Sequence, residues 1–383
     1  MSGSEDEFSD SSSTHSYSSF FSSPATALRQ NLHRFLIPYI HLESQFIAAL
    51  QRRWRSPFWD KYFVYTSSLG THTFFMILLP AVFFFGFDVG GEAGLGGNKE
   101  MGMGLVMIMG LGVYASSFVK DLVCSPRPFA PPVTRLTLGN HHLEYGFPST
   151  HSTNAVSIAL FFYGYVYNLY HPSLNPTATP LTYYFLTTVL VIYTLSIVLG
   201  RIYTAMHSVM DCVAGCVLGA VVWWVVTDVP VRFGVYENLG WTVRGFGASN
   251  KLQAWVVECV ASASIPTTFA AKLLQSPLSP PFLLTSIFLL IINQHPQPID
   301  DCPCFEDAVA MGAVVYGSLV GIWGRVYFAQ LQGTPLREVM AMATATSTFV
   351  PATPMLGAPW HVLPSGTWVP YPPSSPSSSS SSS

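Results

Sequence analysis

The chain has 383 residues, half of them hydrophobic and only 10% charged, with a formal net charge of -3. A soluble domain carries roughly a quarter of its residues charged, so this composition excludes an ordinary soluble globule and points to repeated membrane crossing. The slight acidic balance and the lack of a basic block argue against nucleic acid as a partner, because phosphate backbones are bound through clustered Lys and Arg.

In chain order, residues 1–30 open with "MSGSEDEFSDSSSTHSYSSFFSSP", acidic and serine-rich. With no basic segment leading into an apolar core, this stretch is read as a disordered tail rather than a cleavable signal peptide. Residues 31–60 include "RFLIPYIHLESQFIAAL", where His41 and Glu43 favour an interfacial or re-entrant segment. Apolar stretches approaching the roughly 20 residues that span a bilayer then run from Tyr65 to Phe87, Met101 to Val119, Ser152 to Tyr170, Leu181 to Gly200 and Cys212 to Thr227. They make residues 61–228 the core of a polytopic, all-α transmembrane bundle. Shorter candidates at Val260 to Ala271, Pro281 to Asn293 and Ala308 to Gly324 extend it through 229–335, for roughly seven to nine crossings in all. Residues 336–383 end in "PPSSPSSSSSSS" and form a low-complexity tail. Arg52, Arg53 and Arg55 before the first span place the N-terminus in the cytosol by the positive-inside rule.

Ionisable residues beside membrane helices are costly and therefore mark function by default. Three clusters stand out. "KDLVCSPRP" places Lys120 and Arg127 seven residues apart, which on a helix would be one face, two turns apart, with Pro126 ending the helix. In "YGFPSTHSTN", Ser149 or Thr150 is a natural N-cap for the helix that starts at His151, and the free N–H groups of that helix start can hold an anion. "GRIYTAMHSVMD" contributes Arg201, His207 and Asp211, with Asp211 four residues after His207 and expected on the same helical face, where it would accept the Nδ1 proton. Taken singly, Arg201 reads as a snorkelling arginine, His207 as a packing residue and Asp211 as a cap. Together the clusters supply cations and backbone donors for a phosphate, with two histidines to act as nucleophile and acid.

The six cysteines form no secreted-type framework. "CPCFED" at 302–307 is read as a structural turn, because its thiol pair is tightly spaced and a second pair of ligands is missing; no metal or other cofactor is expected.

The three clusters resemble the signature of the type 2 phosphatidic acid phosphatase superfamily, K-x6-R-P, P-S-G-H and S-R-x5-H-x3-D. Thr150 stands where the pattern has glycine, and Gly200 where it has serine. The resemblance implies that Lys120, Arg127, Ser149, Thr150 and Arg201 hold the phosphate, that His151 is the general acid, and that His207 is the nucleophile relayed to Asp211. The flanks "KDLVCSPRPFAPPVTRLT", "EYGFPSTHSTNA" and "CPCFEDAVA" are similar to sphingosine-1-phosphate phosphatases, including fungal long-chain-base phosphate members. This implies metal-independent hydrolysis of a sphingoid base 1-phosphate lipid at a site facing the lumen of the endoplasmic reticulum. Glu144 and Arg135, in the loop between the first two motifs, are candidates to read the head group, Glu144 through the substrate ammonium. The other readings are a broad-specificity lipid phosphate phosphatase, a non-catalytic transporter or scaffold with a phosphate cavity, and a vanadate-dependent oxidase.

Overall fold

A computed structural model describes residues 24–70, 74, 96–136, 144–228, 231–233, 241–261, 276–299, 302–333, 360–362 and 368–370. Among them are nine helices: α1 (Pro24–Trp54), α2 (Pro57–Ser68), α3 (Gly96–Val123), α4 (Thr150–Tyr170), α5 (Pro180–Tyr203), α6 (Val209–Val226), α7 (Ala248–Ala261), α8 (Ser279–Asn293) and α9 (Cys304–Leu331). Two antiparallel hairpins of three-residue strands, Val231–Phe233 with Trp241–Val243 and Trp360–Val362 with Trp368–Pro370, are additions to the all-α expectation. The expected spans Tyr65 to Phe87 and Val260 to Ala271 lie largely outside the described residues, as do most of both serine-rich tails.

Four described helices are long and apolar enough to cross a membrane: α3 from Gly102, α5, α6 and α9. The protein is therefore a multi-pass membrane protein, although the described residues do not by themselves reach seven crossings. α8 is apolar but only 15 residues long. The outer faces of these helices carry the apolar residues that a soluble protein would bury: Leu181, Phe185, Ile192 and Leu199 on α5, and Val213, Val217, Val221 and Trp224 on α6, are all exposed. The three- and four-residue spacing on α6 makes one stripe for lipid.

α4 is the opposite kind of helix. It packs against α3, α5 and α6, and buries Ser152, Thr153, Asn154 and Ser157, so its weaker hydropathy reflects protein neighbours in place of lipid. Its seam with α6 is built on small residues. A Cβ at Gly215 would stand 2.5 Å from the Ser149 carbonyl oxygen, and one at Gly219 would stand 2.4 Å from that of Thr153. The spacing Gly215–Gly219 is the small-xxx-small pattern that lets membrane helices approach closely. α3 and α9 approach similarly at Gly110, where a Cβ would run into Val315.

α1 is one continuous helix that begins within the expected tail and extends through the expected re-entrant segment. It does not qualify as a crossing; Leu36, Ile40, Ile47 and Ala48 bury its inner face against Val123, Val133 and Ala205. Gly219→Ala should lower stability by about 1–3 kcal/mol, because the Cβ meets backbone that cannot yield without separating the helices. Gly317→Ala, where a Cβ meets nothing within 4 Å, should be neutral or slightly stabilising. Thermal unfolding of the two variants in detergent checks the contrast.

Candidate active site

The site forms where the C-terminal end of α3, the start of α4 and the turn between α5 and α6 meet. α3 stops at Val123, three residues before Pro126, because Cys124 turns left-handed at φ 51. Lys120 therefore lies on the last helical turn and Arg127 in the loop beyond it, and the pair do not share a helix face. The loop folds back so that both reach one carboxylate: Lys120 Nζ lies 3.0 Å, and an Arg127 terminal nitrogen 3.3 Å, from Glu144 Oε2. Arg127 Nε also donates to the Glu144 carbonyl at 2.7 Å, and another of its nitrogens to the Met206 carbonyl at 3.2 Å. Lys120 is 3% exposed, Arg127 4% and Arg201 7%. Arg201 lies in the last turn of α5, and its buried Nε has no hydrogen-bond partner. In a protein interior such a donor is expensive unless an anion reaches it.

Ser149 is the N-cap of α4. Its hydroxyl accepts from the Ser152 N–H at 3.3 Å, while its own N–H donates to the Asp211 carbonyl at 3.0 Å, tying the α4 start to α6. Thr150 and His151 are the first two residues of the helix, both half-buried. His151 lies within electrostatic reach of Arg201, Glu144, Lys120 and Arg127. Burial holds the His207 imidazole well below its ordinary pKa, helped by Arg201, Arg127, Lys120 and His151, so it is neutral at pH 7. Burial likewise lowers Arg127, a shift opposed by Glu144. The three sequence clusters thus converge on one buried site.

The expected pairing of His207 with Asp211 takes a different form. His207 is not helical: α5 ends at Tyr203, Ala205 turns left-handed at φ 54, and α6 begins only after its N-cap Ser208. With no shared helix face, His207 Nδ1 hydrogen-bonds to the Gly146 carbonyl at 2.8 Å, and Asp211 Oδ2 stands 3.8 Å away. Asp211 Oδ2 instead accepts the Ser208 N–H at 2.8 Å, and the Ser208 hydroxyl accepts the Asp211 N–H, which completes a capping box. Asp211 remains a nearby carboxyl group; the Gly146 carbonyl fixes the tautomer that leaves Nε2 with its lone pair.

Gly146 is the site residue that sequence reasoning missed. Its N–H donates to the Ser125 carbonyl, its own carbonyl receives His207, and a Cβ there would meet the Pro126 carbonyl oxygen at 2.8 Å and Asp211 Oδ2 at 3.1 Å. Its one sequence signal is a position two residues before Pro148. α1 was missed too. Gln51 donates to the Thr134 and Tyr203 carbonyls, Ser44 accepts the Phe129 N–H, Glu43 accepts the Met210 N–H, and Arg29 caps the carbonyls of Asp121 and Leu122 at the end of α3. Arg135 turns to the Pro128 carbonyl at 2.7 Å. Gly200 has a packing reason: a Cβ there would come within 3.2 Å of Phe63 and 3.3 Å of the Ser67 hydroxyl on α2.

Residues 101–234, which hold all these motifs, match the profile of the PAP2 superfamily. This segment is a PAP2 superfamily domain. The chain is 31% identical over 298 residues to a dihydrosphingosine 1-phosphate phosphatase of Schizosaccharomyces pombe, an alignment covering 78% of this chain and 60% of that protein. It is 30% identical to a dihydrosphingosine 1-phosphate phosphatase of Saccharomyces cerevisiae, covering 79% and 62%. A human sphingosine-1-phosphate phosphatase 2 is 26% identical over 72% of this chain and 55% of that one. The chain therefore spans about three fifths of the length of the fungal relatives. Among solved structures, a transmembrane PAP2-type phosphatidylglycerolphosphate phosphatase from Bacillus subtilis superposes with a TM-score of 0.38 at 17% identity, covering 52% of this chain and 90% of that one.

Within the PAP2 domain, Gly146→Ala should disturb the Arg127 loop and the His207 turn together. Orthovanadate affinity should fall by about tenfold or more, while secondary structure is kept. Equilibrium binding of vanadate to the purified variant, beside its circular dichroism, checks this.

Proposed function

We propose that the protein is a lipid phosphomonoesterase that removes the phosphate from sphingoid long-chain base 1-phosphates through a phosphohistidine. One observation carries the reading: three buried cations, Lys120, Arg127 and Arg201, surround two buried or half-buried histidines beside the capped start of a helix. That set matches a phosphoryl group in transfer, whose charge spreads over three equatorial oxygens. Support for the sphingoid substrate comes from the names of the fungal and human relatives.

In the proposed mechanism, the substrate phosphate enters among Lys120, Arg127, Arg201 and the start of α4 at Ser149 and Thr150, where the Ser149 N–H stays on the Asp211 carbonyl and the Thr150 N–H is the donor to the phosphate. Nε2 of His207 attacks phosphorus, the bond from phosphorus to the lipid oxygen breaks, and His151 gives its proton to the departing alkoxide. The phosphate dianion favours the His151 imidazolium, offsetting the neighbouring cations. Asp211 stabilises the positive charge on the phosphorylated His207 ring, and the Gly146 carbonyl keeps Nδ1–H in place. A water deprotonated by His151 then attacks phosphorus, releasing inorganic phosphate and neutral His207. The protein's own donors cover the phosphate charge, so added divalent metal is not required for this chemistry. We place the enzyme in the endoplasmic reticulum membrane with its site toward the lumen, as its resemblance to sphingosine-1-phosphate phosphatases implies.

Phosphate release from dihydrosphingosine 1-phosphate by the purified protein in detergent is the direct test. His207→Ala should abolish it. His151→Ala should lose about 100-fold or more on the lipid but much less on nitrophenyl phosphate, whose leaving group departs without protonation. Equal losses on both substrates would overturn the roles given to the two histidines.

Glu144 is the counter-ion of Lys120 and Arg127, so an incoming phosphate must take over those contacts. The displaced carboxylate then stands close to the phosphate and can pair with the ammonium of a sphingoid base. Glu144→Gln should therefore lower the ratio of kcat/KM for the sphingoid substrate over lysophosphatidate by about 10-fold or more. Easier phosphate entry affects both lipids and cancels in the ratio. An unchanged ratio would leave Glu144 as a counter-ion only.

A further inference from the structure

Asp121 follows Lys120 in sequence and faces away from the phosphate site. It is fully buried, and neither carboxylate oxygen has a hydrogen-bond partner. Lys120 and Arg29 are the nearby cations, but the Lys120 ammonium is engaged by Glu144 and the Arg29 guanidinium by main-chain carbonyls. The side chain beside the carboxylate is His295, whose Nδ1 hydrogen-bonds to the Pro296 carbonyl at 3.1 Å and stands 3.6 Å from Oδ2. His295 is itself buried, enclosed by the edges of Tyr114, Phe118 and Phe305, and its Nε2 has no partner. Cys302 and Cys304, at the start of α9, complete the cluster. They are bonded to each other as a disulfide, both are buried, and their sulfurs lie within 4.8 Å of an Asp121 carboxylate oxygen.

A buried carboxylate without a partner costs several kcal/mol, and proteins resolve that cost by pairing it or by coordinating a metal. Two sulfurs, a carboxylate and a neighbouring imidazole are the donor types of a zinc-class centre. The "CPCFED" stretch lacks a second ligand pair in sequence, and the fold brings it a third ligand, Asp121, from the end of α3, with His295 from the segment after α8 beside that carboxylate. We propose that, with Cys302 and Cys304 reduced, Asp121 and the two thiolates bind a zinc-class divalent cation, with His295 holding the carboxylate. A thiol or phosphine reductant supplies the two electrons that open the disulfide, and the two thiol protons pass to solvent as the cation binds. The cation would fasten α9 to the helix that presents Lys120. It takes no part in phosphoryl transfer.

The test uses the full chain, purified in detergent under phosphine reductant without chelator, loaded with Zn²⁺ and desalted. Elemental analysis should find about one zinc per chain, and Co²⁺ in its place should give a thiolate-to-cobalt absorption band. Asp121→Asn and the double variant Cys302→Ser/Cys304→Ser should lose the metal. His295→Ala should keep the metal with affinity weakened by about 10- to 100-fold. A second measurement needs no variant: zinc should protect Cys302 and Cys304 from alkylation, mapped by mass spectrometry, and a chelator should restore their reactivity. The inference fails if reduced wild type binds no more zinc than the double serine variant, if its thiols alkylate equally with and without zinc, or if the disulfide persists under reductant. Because the readouts are metal content and thiol reactivity, loss of the phosphatase reading would leave the result intact, and the reverse holds as well.

Discussion

A cation withdrawn from water loses several kcal/mol of hydration unless counter-charge or acceptors replace it. Lys120, Arg127 and Arg201 are all nearly inaccessible, in a chain whose outer helix faces are apolar. Much of the surrounding architecture follows from keeping these three in place. Glu144 bridges two of them with a single oxygen, and the main-chain carbonyls of Glu144 and Met206 take further Arg127 donors. The interaction is local in space but spans three loops, so moving any one loop leaves a buried charge without its partner.

Two devices hold those loops. The first is the glycine seam between α4 and α6, which brings the Ser149 cap against Asp211 and so sets where His151 stands relative to His207. The second is α1, whose polar side chains act on main-chain groups of the loops that carry the site. Gln51 satisfies the backbone at Thr134 and Tyr203, and Arg29 satisfies carbonyls that the α3 terminus leaves open. A helix with this many donors and acceptors on its inner face is suited to a polar seat beside the site. Two non-glycine residues in left-handed conformation, Cys124 and Ala205, end the helices that deliver Lys120 and Arg201. Each costs roughly 1–2 kcal/mol, which the packing and hydrogen bonds around the site offset.

The fold explains why the chain reads as it does. The lipid-facing helices α5, α6 and α9 carry continuous apolar runs and qualify as crossings; α3 qualifies as well although most of it is buried against protein. α4, read from sequence as the span Ser152 to Tyr170, touches protein on several sides and carries Ser152, Thr153, Asn154 and Ser157 inward, so it falls short of the apolarity of the four qualifying crossings although it lies at the centre. Hydropathy reports the surroundings of a helix more directly than its depth.

From sequence alone, the class of the molecule was legible, because a five-to-one ratio of hydrophobic to charged content admits few alternatives: 50% against 10%. The positions of Lys120, Arg127, Ser149, His151, Arg201, His207 and Asp211 were legible too, because ionisable residues beside apolar helices stand out against so bare a background. Tertiary structure alone decided how they meet. A helical reading put Lys120 with Arg127, and His207 with Asp211, on shared faces; left-handed turns at Cys124 and Ala205 end those helices early. The partner of His207 is a main-chain carbonyl at Gly146, and no side-chain pattern can encode an acceptor that every residue possesses. The same holds for Glu144, which is read from sequence as a head-group candidate and becomes the counter-ion of two cations only because the loop closes over them. Local spacing fixes which groups are near one another along a helix, whereas contacts across loops depend on closures that only the packed bundle determines.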